Sequence, residues 1–140
     1  MNASRWPGEC PTVWGRTRGE FVTFGNGIGR GYEISGHATM TRTADGKTIV
    51  STHARGLGAN TTYGVHVHNK ACGDSDGGGQ YQNVVGGPVD AFNEIWPAFT
   101  TNGAGNGNGR AVHAFTARPE AQSVVIHDTD GNRIACADLD

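Results

Sequence analysis

The stretch Tyr63-Gly-Val-His-Val-His68 sets two histidines two residues apart. Side chains of an extended strand alternate between faces, so Val65 and Val67 face one way while His66 and His68 face the other, about 7 Å apart along the strand. Two imidazoles on one face can converge on one metal ion; the same spacing fits a strand whose histidines are simply solvated. The valines suit a pleated, half-buried surface, and Gly58, Asn60 and the Gly-rich run 73–79 supply breaks on either side. A third histidine has a related placement. In Gln122-Ser-Val-Val-Ile-His127 the alternation sends Val124 and Ile126 to the core face and Ser123, Val125 and His127 to the other.

A small β domain has to position these side chains. The chain has 140 residues, 36% of them hydrophobic, which suits one domain with a single core. We read 1–140 as that domain, with 1–17 as an extended N-terminal arm containing Trp6, Pro7, Pro11 and Trp14. Many of the 23 glycines cluster, at 25–31, 77–79, 86–87 and 103–109. They have no three-residue period and are separated by apolar runs, as turns between short strands would be. Strands are expected at 20–24, 32–42, 48–57, 62–68, 95–101, 110–116, 122–127 and 133–139, with tight turns at 44–47 and 128–132. About eight short strands joined in this way predict an all-β fold, a Greek-key barrel or sandwich. Residues 69–94 carry little strand propensity, and a loop of that length is uncommon without a purpose.

Charge excludes several classes of partner. A formal net charge of -2 with no Lys/Arg block argues against nucleic acid and against a membrane surface. No apolar run approaches the ~18 residues of a membrane span. Met1 to Cys10 lacks the apolar centre of a signal peptide, so in an exported protein the leader would already be gone. Cys10, Cys72 and Cys136 make an odd set: at most one intrachain disulfide, with one thiol left over. No CxxC pair speaks for a structural zinc knuckle. A disulfide would imply an oxidising compartment, and three buried thiols in a reducing one is the alternative.

Other motifs carry less. His37, His53 and His113 lie in other expected strands and read as structural or surface histidines. The glycines at 77–79 are not followed by Lys-Ser/Thr, which excludes a phosphate loop. The run Asp128, Asp130, Asn132 is too short for a calcium loop and lacks the later Glu. Asn2-Ala-Ser4 and Asn60-Thr-Thr62 fit the glycosylation pattern, which has meaning only in a eukaryotic secretory protein.

Four pieces in order, YGVHVHNKAC (63–72), GGGQYQN (77–83), QSVVIHD (122–128) and NRIACADL (132–139), resemble the copper/zinc superoxide dismutase family, specifically its zinc-less, copper-only and dismutase-like branch. The resemblance covers about residues 33–140. It implies an eight-stranded Greek-key β-barrel, an immunoglobulin-like sandwich, with one copper ion held outside the barrel wall by His66, His68 and His127. It further implies that Arg133 guides superoxide to copper and that Cys72 and Cys136 form a disulfide pinning the long loop to the last strand. That bridge would stabilise by ~4 kcal/mol under the chain-entropy model. The protein would be secreted, periplasmic or extracellular, with superoxide or another small molecule as its partner. Cys10 has no counterpart.

The departures bear on activity. Gln80 stands where the relatives carry a further histidine, leaving a weak or vacant position. A carboxamide has no titratable proton near neutral pH and cannot deliver one. The zinc-binding residues are missing, because the only histidines are 37, 53, 66, 68, 113 and 127; no zinc is expected. The short turn 128–132 would leave the copper position open to solvent. Tyr63 stands where the family often has a histidine that supports a ligand. Glu94 falls where copper-only relatives place an acid that orients the missing histidine, and is expected either to accept a hydrogen bond from the Gln80 amide or to be a solvated loop carboxylate. Three imidazoles alone still suit copper. Two readings follow: a weakly active dismutase with a zinc-free, three-histidine copper site, or a catalytically inactive dismutase-like copper-binding or structural protein.

Overall fold

The structure is a computed structural model that describes residues 15–140; Cys10, the Asn2 motif and the first fourteen residues of the expected arm lie outside them. In chain order it has β1 (Gly15–Glu20), β2 (Val22–Thr23), α1 (Gly25–Gly29), β3 (Ser35–Arg42), β4 (Thr48–Arg55), β5 (Thr62–His68), β6 (Phe99–Thr100), β7 (Gly107–His113), β8 (Ser123–His127) and β9 (Arg133–Asp138). One sheet has the order β1-β3-β4-β7 and the other β2-β9-β8-β5-β6. Every strand pairing is antiparallel. The fold is all-β, as the strand and turn pattern predicts.

Period-two patterning builds the core. On β4, Thr48, Val50, Thr52 and Ala54 are buried while Ile49, Ser51, His53 and Arg55 turn outward. On β5 the buried apolar set is Tyr63, Val65 and Val67, and His68 at the strand's end is buried on the other face. Val50 and Ala54 of β4 and the three apolar residues of β5 join Ala38 and Met40 of β3, Val124 and Ile126 of β8 and Ile134 of β9 in one apolar cluster. The tight hairpin at 43–47 closes β3 onto β4, with Thr43 N donating to the Lys47 carbonyl and Gly46 at φ +89°. β8 breaks the expected alternation, since all five of its residues are buried. Val125 does face outward, but the Gly-rich loop closes over it: a Cβ placed on Gly77 would lie 3.0 Å from Val125 Cγ2 and 3.1 Å from Ser123 Oγ.

Tertiary contacts move several boundaries. Residues 15–17 belong to β1 rather than to an arm, because β1 pairs with β3 over its whole length. The strand expected at 20–24 is divided at buried Phe21; β2 then pairs with β9 in the other sheet, Val22 opposite Cys136. The glycines after it form the short helix α1 instead of a turn. The strand expected at 95–101 shrinks to Phe99–Thr100. Pro97 has no N–H to give a ladder, and its carbonyl is taken by Thr52 Oγ1 at 3.1 Å. β7 begins within the glycine cluster at 107. Side chains cannot be accommodated there: a Cβ on Gly107 would lie 2.3 Å from the Phe99 ring, and one on Gly109 2.1 Å from the Pro97 carbonyl oxygen.

The core should respond as a close-packed interior does. Ile126→Ala is expected to cost about 2–5 kcal/mol in urea unfolding, whereas Val112→Ala at a half-exposed position should stay within about 0.5 kcal/mol. Equal costs at the two positions would contradict the burial pattern.

Candidate metal centre

The β5–β8 register brings the histidines together. His66 lies opposite Val125, and His127 opposite Gly64, so His66 and His127 are diagonal neighbours on one face. His68, at the next outward position, lies opposite Ser123. The ring centres are 4.7 Å apart for His66 and His127, 5.4 Å for His68 and His127, and 6.3 Å for His66 and His68. One nitrogen from each ring lies within 4.8 Å of the others. An ion about 2.0–2.1 Å from each imidazole nitrogen sets its ligands roughly 3–4 Å apart, a spacing that a modest inward turn of the rings would reach.

Buried polar atoms normally find partners. His66 Nδ1, His68 Nε2 and His127 Nδ1 are buried and have none. The other nitrogen of His68 explains its orientation: Nδ1 lies 3.2 Å from the Gly78 carbonyl oxygen. A carbonyl only accepts, so Nδ1 carries the proton and Nε2 presents a bare lone pair, the form that binds a metal. Burial, with the nearby His127 charge, lowers the pKa of His66 to about 4. Burial lowers His68 further, to about 3, against the upward pull of the Gly78 carbonyl. His127 is also lowered, chiefly by burial. All three rings are therefore neutral at pH 7, as ligation requires. The three histidines could hold a metal ion, and the orphaned nitrogens show that protein groups do not satisfy all of their polar atoms.

The long loop supplies the surroundings. Its backbone returns beside β5: Asn69 N donates to Gly79 O, Lys70 N to Gly77 O and Tyr81 N to Val67 O, which sets Gln80 opposite His68. Cys72 is bonded to Cys136 of β9, and Cys72 N donates to Asp138 Oδ1 at 2.7 Å. Four successive residues, Ser75, Asp76, Gly77 and Gly78, have φ values of 54°, 53°, 96° and 69°. This left-handed curl aims carbonyls at Arg133, whose Nη1 donates to Ser75 O at 3.3 Å, Asp76 O at 3.1 Å and Gly78 O at 2.7 Å. Arg133, Gln80, His66 and His127 share an open cleft of about 610 Å³, floored by Gly64 and bordered by the turn at Asp128.

One expectation is corrected. Glu94 does not bond to the Gln80 amide, and it is not solvated. It is 2% exposed; its Oε2 accepts from Gln82 Nε2 at 2.8 Å and its Oε1 from Trp96 Nε1 at 3.0 Å. Isolated pairing of Gln82 with Glu94 brings those two side chains to each other. Tyr63 supports no histidine, since its odd position sends it into the core. There its ring meets Tyr32 and Phe99, and its hydroxyl accepts from Gly58 N at 2.8 Å.

Trp96 and Gln82 were not expected at the site. The Trp96 ring lies 5.5 Å from that of His66, and its Nε1 also reaches Gln80 Oε1 at 3.2 Å. The signal was the alternation in Asn93-Glu-Ile-Trp96: Ile95 is fully buried in the core, which leaves Glu94 and Trp96 together on the other side.

Depressed histidine pKa values set the acid stability of the metal-free protein. Below about pH 6.5 the unfolded chain protonates these histidines, while the folded chain resists until about pH 3–4. Stability is thus fully present above pH 6.5 and lost as the pH falls towards 4. Urea midpoints measured between pH 7.5 and 4.5 should decline, and decline less steeply in His68→Gln; equal slopes would contradict the assignment.

Neither the known protein-family models nor the curated proteins include a match to this chain.

Proposed function

We propose that this chain is a copper-binding protein of the copper/zinc superoxide dismutase type, from the zinc-less branch, with weak dismutase activity. On this reading its two sheets are the walls of that family's eight-stranded Greek-key barrel. The observation that carries it is the convergence of His66, His68 and His127, one nitrogen of each ring lying within 4.8 Å of the others, with two of the rings lining an open cleft. An all-nitrogen donor set of neutral imidazoles suits copper. The disulfide supports an oxidising location, secreted, periplasmic or extracellular.

Copper held by His66, His68 and His127 would supply one-electron chemistry, oxidising one superoxide to oxygen and reducing the next, with two protons, to hydrogen peroxide. The chain's own residues prepare the site. His68 is held with Nε2 bare by the Gly78 carbonyl. Arg133 places a permanent positive charge in the cleft, its guanidinium fixed through Nη1, which favours entry of a small anion. Gln80 has no proton to give near neutral pH, so protons come from water in the open cleft.

A second reading is a dismutase-like copper-binding protein without catalysis. Gln80 favours it, because its amide oxygen already accepts from Trp96 Nε1 and its side chain cannot titrate. Copper titration followed by electron paramagnetic resonance, with a superoxide-consumption assay, separates the two. One tightly bound Cu(II) in the histidine trio and low but measurable activity are expected. Arg133→Ala should then lower that activity about tenfold at low salt, with a smaller effect at high salt. Gln80→His should raise it by on the order of 100-fold. Activity present only in Gln80→His would establish the second reading, and absence of a tight Cu(II) would sink both.

A further inference from the structure

The outward face of the other sheet carries a separate pair of histidines. His37 on β3 and His53 on β4 are direct cross-strand partners, with ring centres 4.9 Å apart and planes tilted by 38°. Glu20 of β1 lies opposite His37, and Asn108 of β7 opposite His53. Directly opposed residues of antiparallel strands have Cβ atoms ~4.5–5.5 Å apart, so two imidazoles there can turn nitrogens towards one point without backbone movement. Asn108 sets one tautomer. Its Oδ1 can only accept, so His53 Nδ1, bonded to it, carries the proton and Nε2 keeps a bare lone pair.

The surroundings leave room for water as well. The pair lines a cleft of about 370 Å³ together with Gly36, Ala54, Arg55 and Asn108. Burial, then the Arg18, His53 and Arg55 charges, hold His37 below its ordinary range, while Glu20 acts the other way. The Glu20 carboxylate is engaged with Arg18 at 3.1 Å.

We propose that His37 and His53 form a second metal site, an open two-imidazole chelate for a divalent ion of the copper, nickel and zinc class, completed by water. Cu(II) is the strongest binder of that class. The site lies on the four-stranded sheet and shares no residue with the buried trio. With two protein ligands, and with Arg18 and Arg55 as neighbours, it binds more weakly than three converging imidazoles would.

Cu(II) titration of the full chain by calorimetry and electron paramagnetic resonance tests this, comparing the wild type with the His37→Ala/His53→Ala double variant. The wild type should show two classes of bound Cu(II), and the double variant should lose one equivalent, the weaker class, with an unchanged urea midpoint. Asn108→Ala, which frees the tautomer, should weaken the same class several-fold. If the wild type binds a single ion and the double variant none, the chelate stands and the trio reading fails. Equal stoichiometry and superposable spectra in the wild type and the double variant would overturn the proposal. Should the double variant lose its fold, the single exposed substitution His53→Gln reads the same loss.

Discussion

Three ring nitrogens held under cover without hydrogen-bond partners are the constraint around which this molecule is arranged. An unsatisfied buried polar atom costs about 1–3 kcal/mol, so imidazoles left without partners weaken the metal-free fold. β5 and β8 fix the backbone beneath them in register, and the Gly-rich loop with its tether to β9 lies over the same face. An ion held by one nitrogen of each ring would offset part of that cost. Binding to the native state alone, it would add about 4 kcal/mol at a thousandfold excess over Kd. Metal affinity and fold stability are thereby one coupled quantity.

The Gly78 carbonyl is where ligand orientation meets charge placement. It accepts from His68 Nδ1 and from Arg133 Nη1, so one backbone oxygen both sets the ligand tautomer on β5 and locates a cation at the start of β9. Reaching it requires the left-handed curl at residues 75–78, where Ser75 and Asp76 adopt a conformation that costs an L-residue roughly 1–2 kcal/mol. That strain is held by the Cys72–Cys136 bond and by the Cys72 N to Asp138 contact on one side, and by the loop's pairing with β5 on the other. A segment without regular secondary structure thus has a defined shape, because both of its ends are anchored to strands of the same sheet.

What could be read from the sequence divides along physical lines. β5 was legible to the residue, since Val65 and Val67 alternate with His66 and His68 between clear breaks. The outward parity of His127 was legible for the same reason, and the Asp-Gly hairpin announced itself by turn chemistry. Features decided by distant neighbours were not. Residues 15–17 have no apolar alternation and become strand because β3 offers an edge. Gly107 and Gly109 read as loop, yet lie in β7 because Phe99 and Pro97 approach too closely for any side chain. Glu94 was expected at the Gln80 amide or in solvent and meets Gln82 and Trp96 instead, because a pairing between two isolated loop residues, Gln82 and Glu94, has no periodic signature. Trp96 was hidden in the same way, although Ile95 in the core fixed its side of the chain.

The same loop geometry decides how Gln80 takes part. Its Oε1 accepts from Trp96 Nε1, and that N–H is shared with the buried Glu94 side chain, so the amide is held at the cleft wall by a chain that ends at Glu94. Once its oxygen is engaged, most of the hydrogen-bonding capacity left to the carboxamide is N–H donor. A donor amide and the Arg133 guanidinium then line one cleft beside the imidazoles of His66 and His127. Such a wall favours an anion over an extra ligand for the metal. On the proposed reading, glutamine in place of histidine at position 80 would remove proton delivery while keeping a surface that attracts a small anion. Binding and turnover can part company at this one residue.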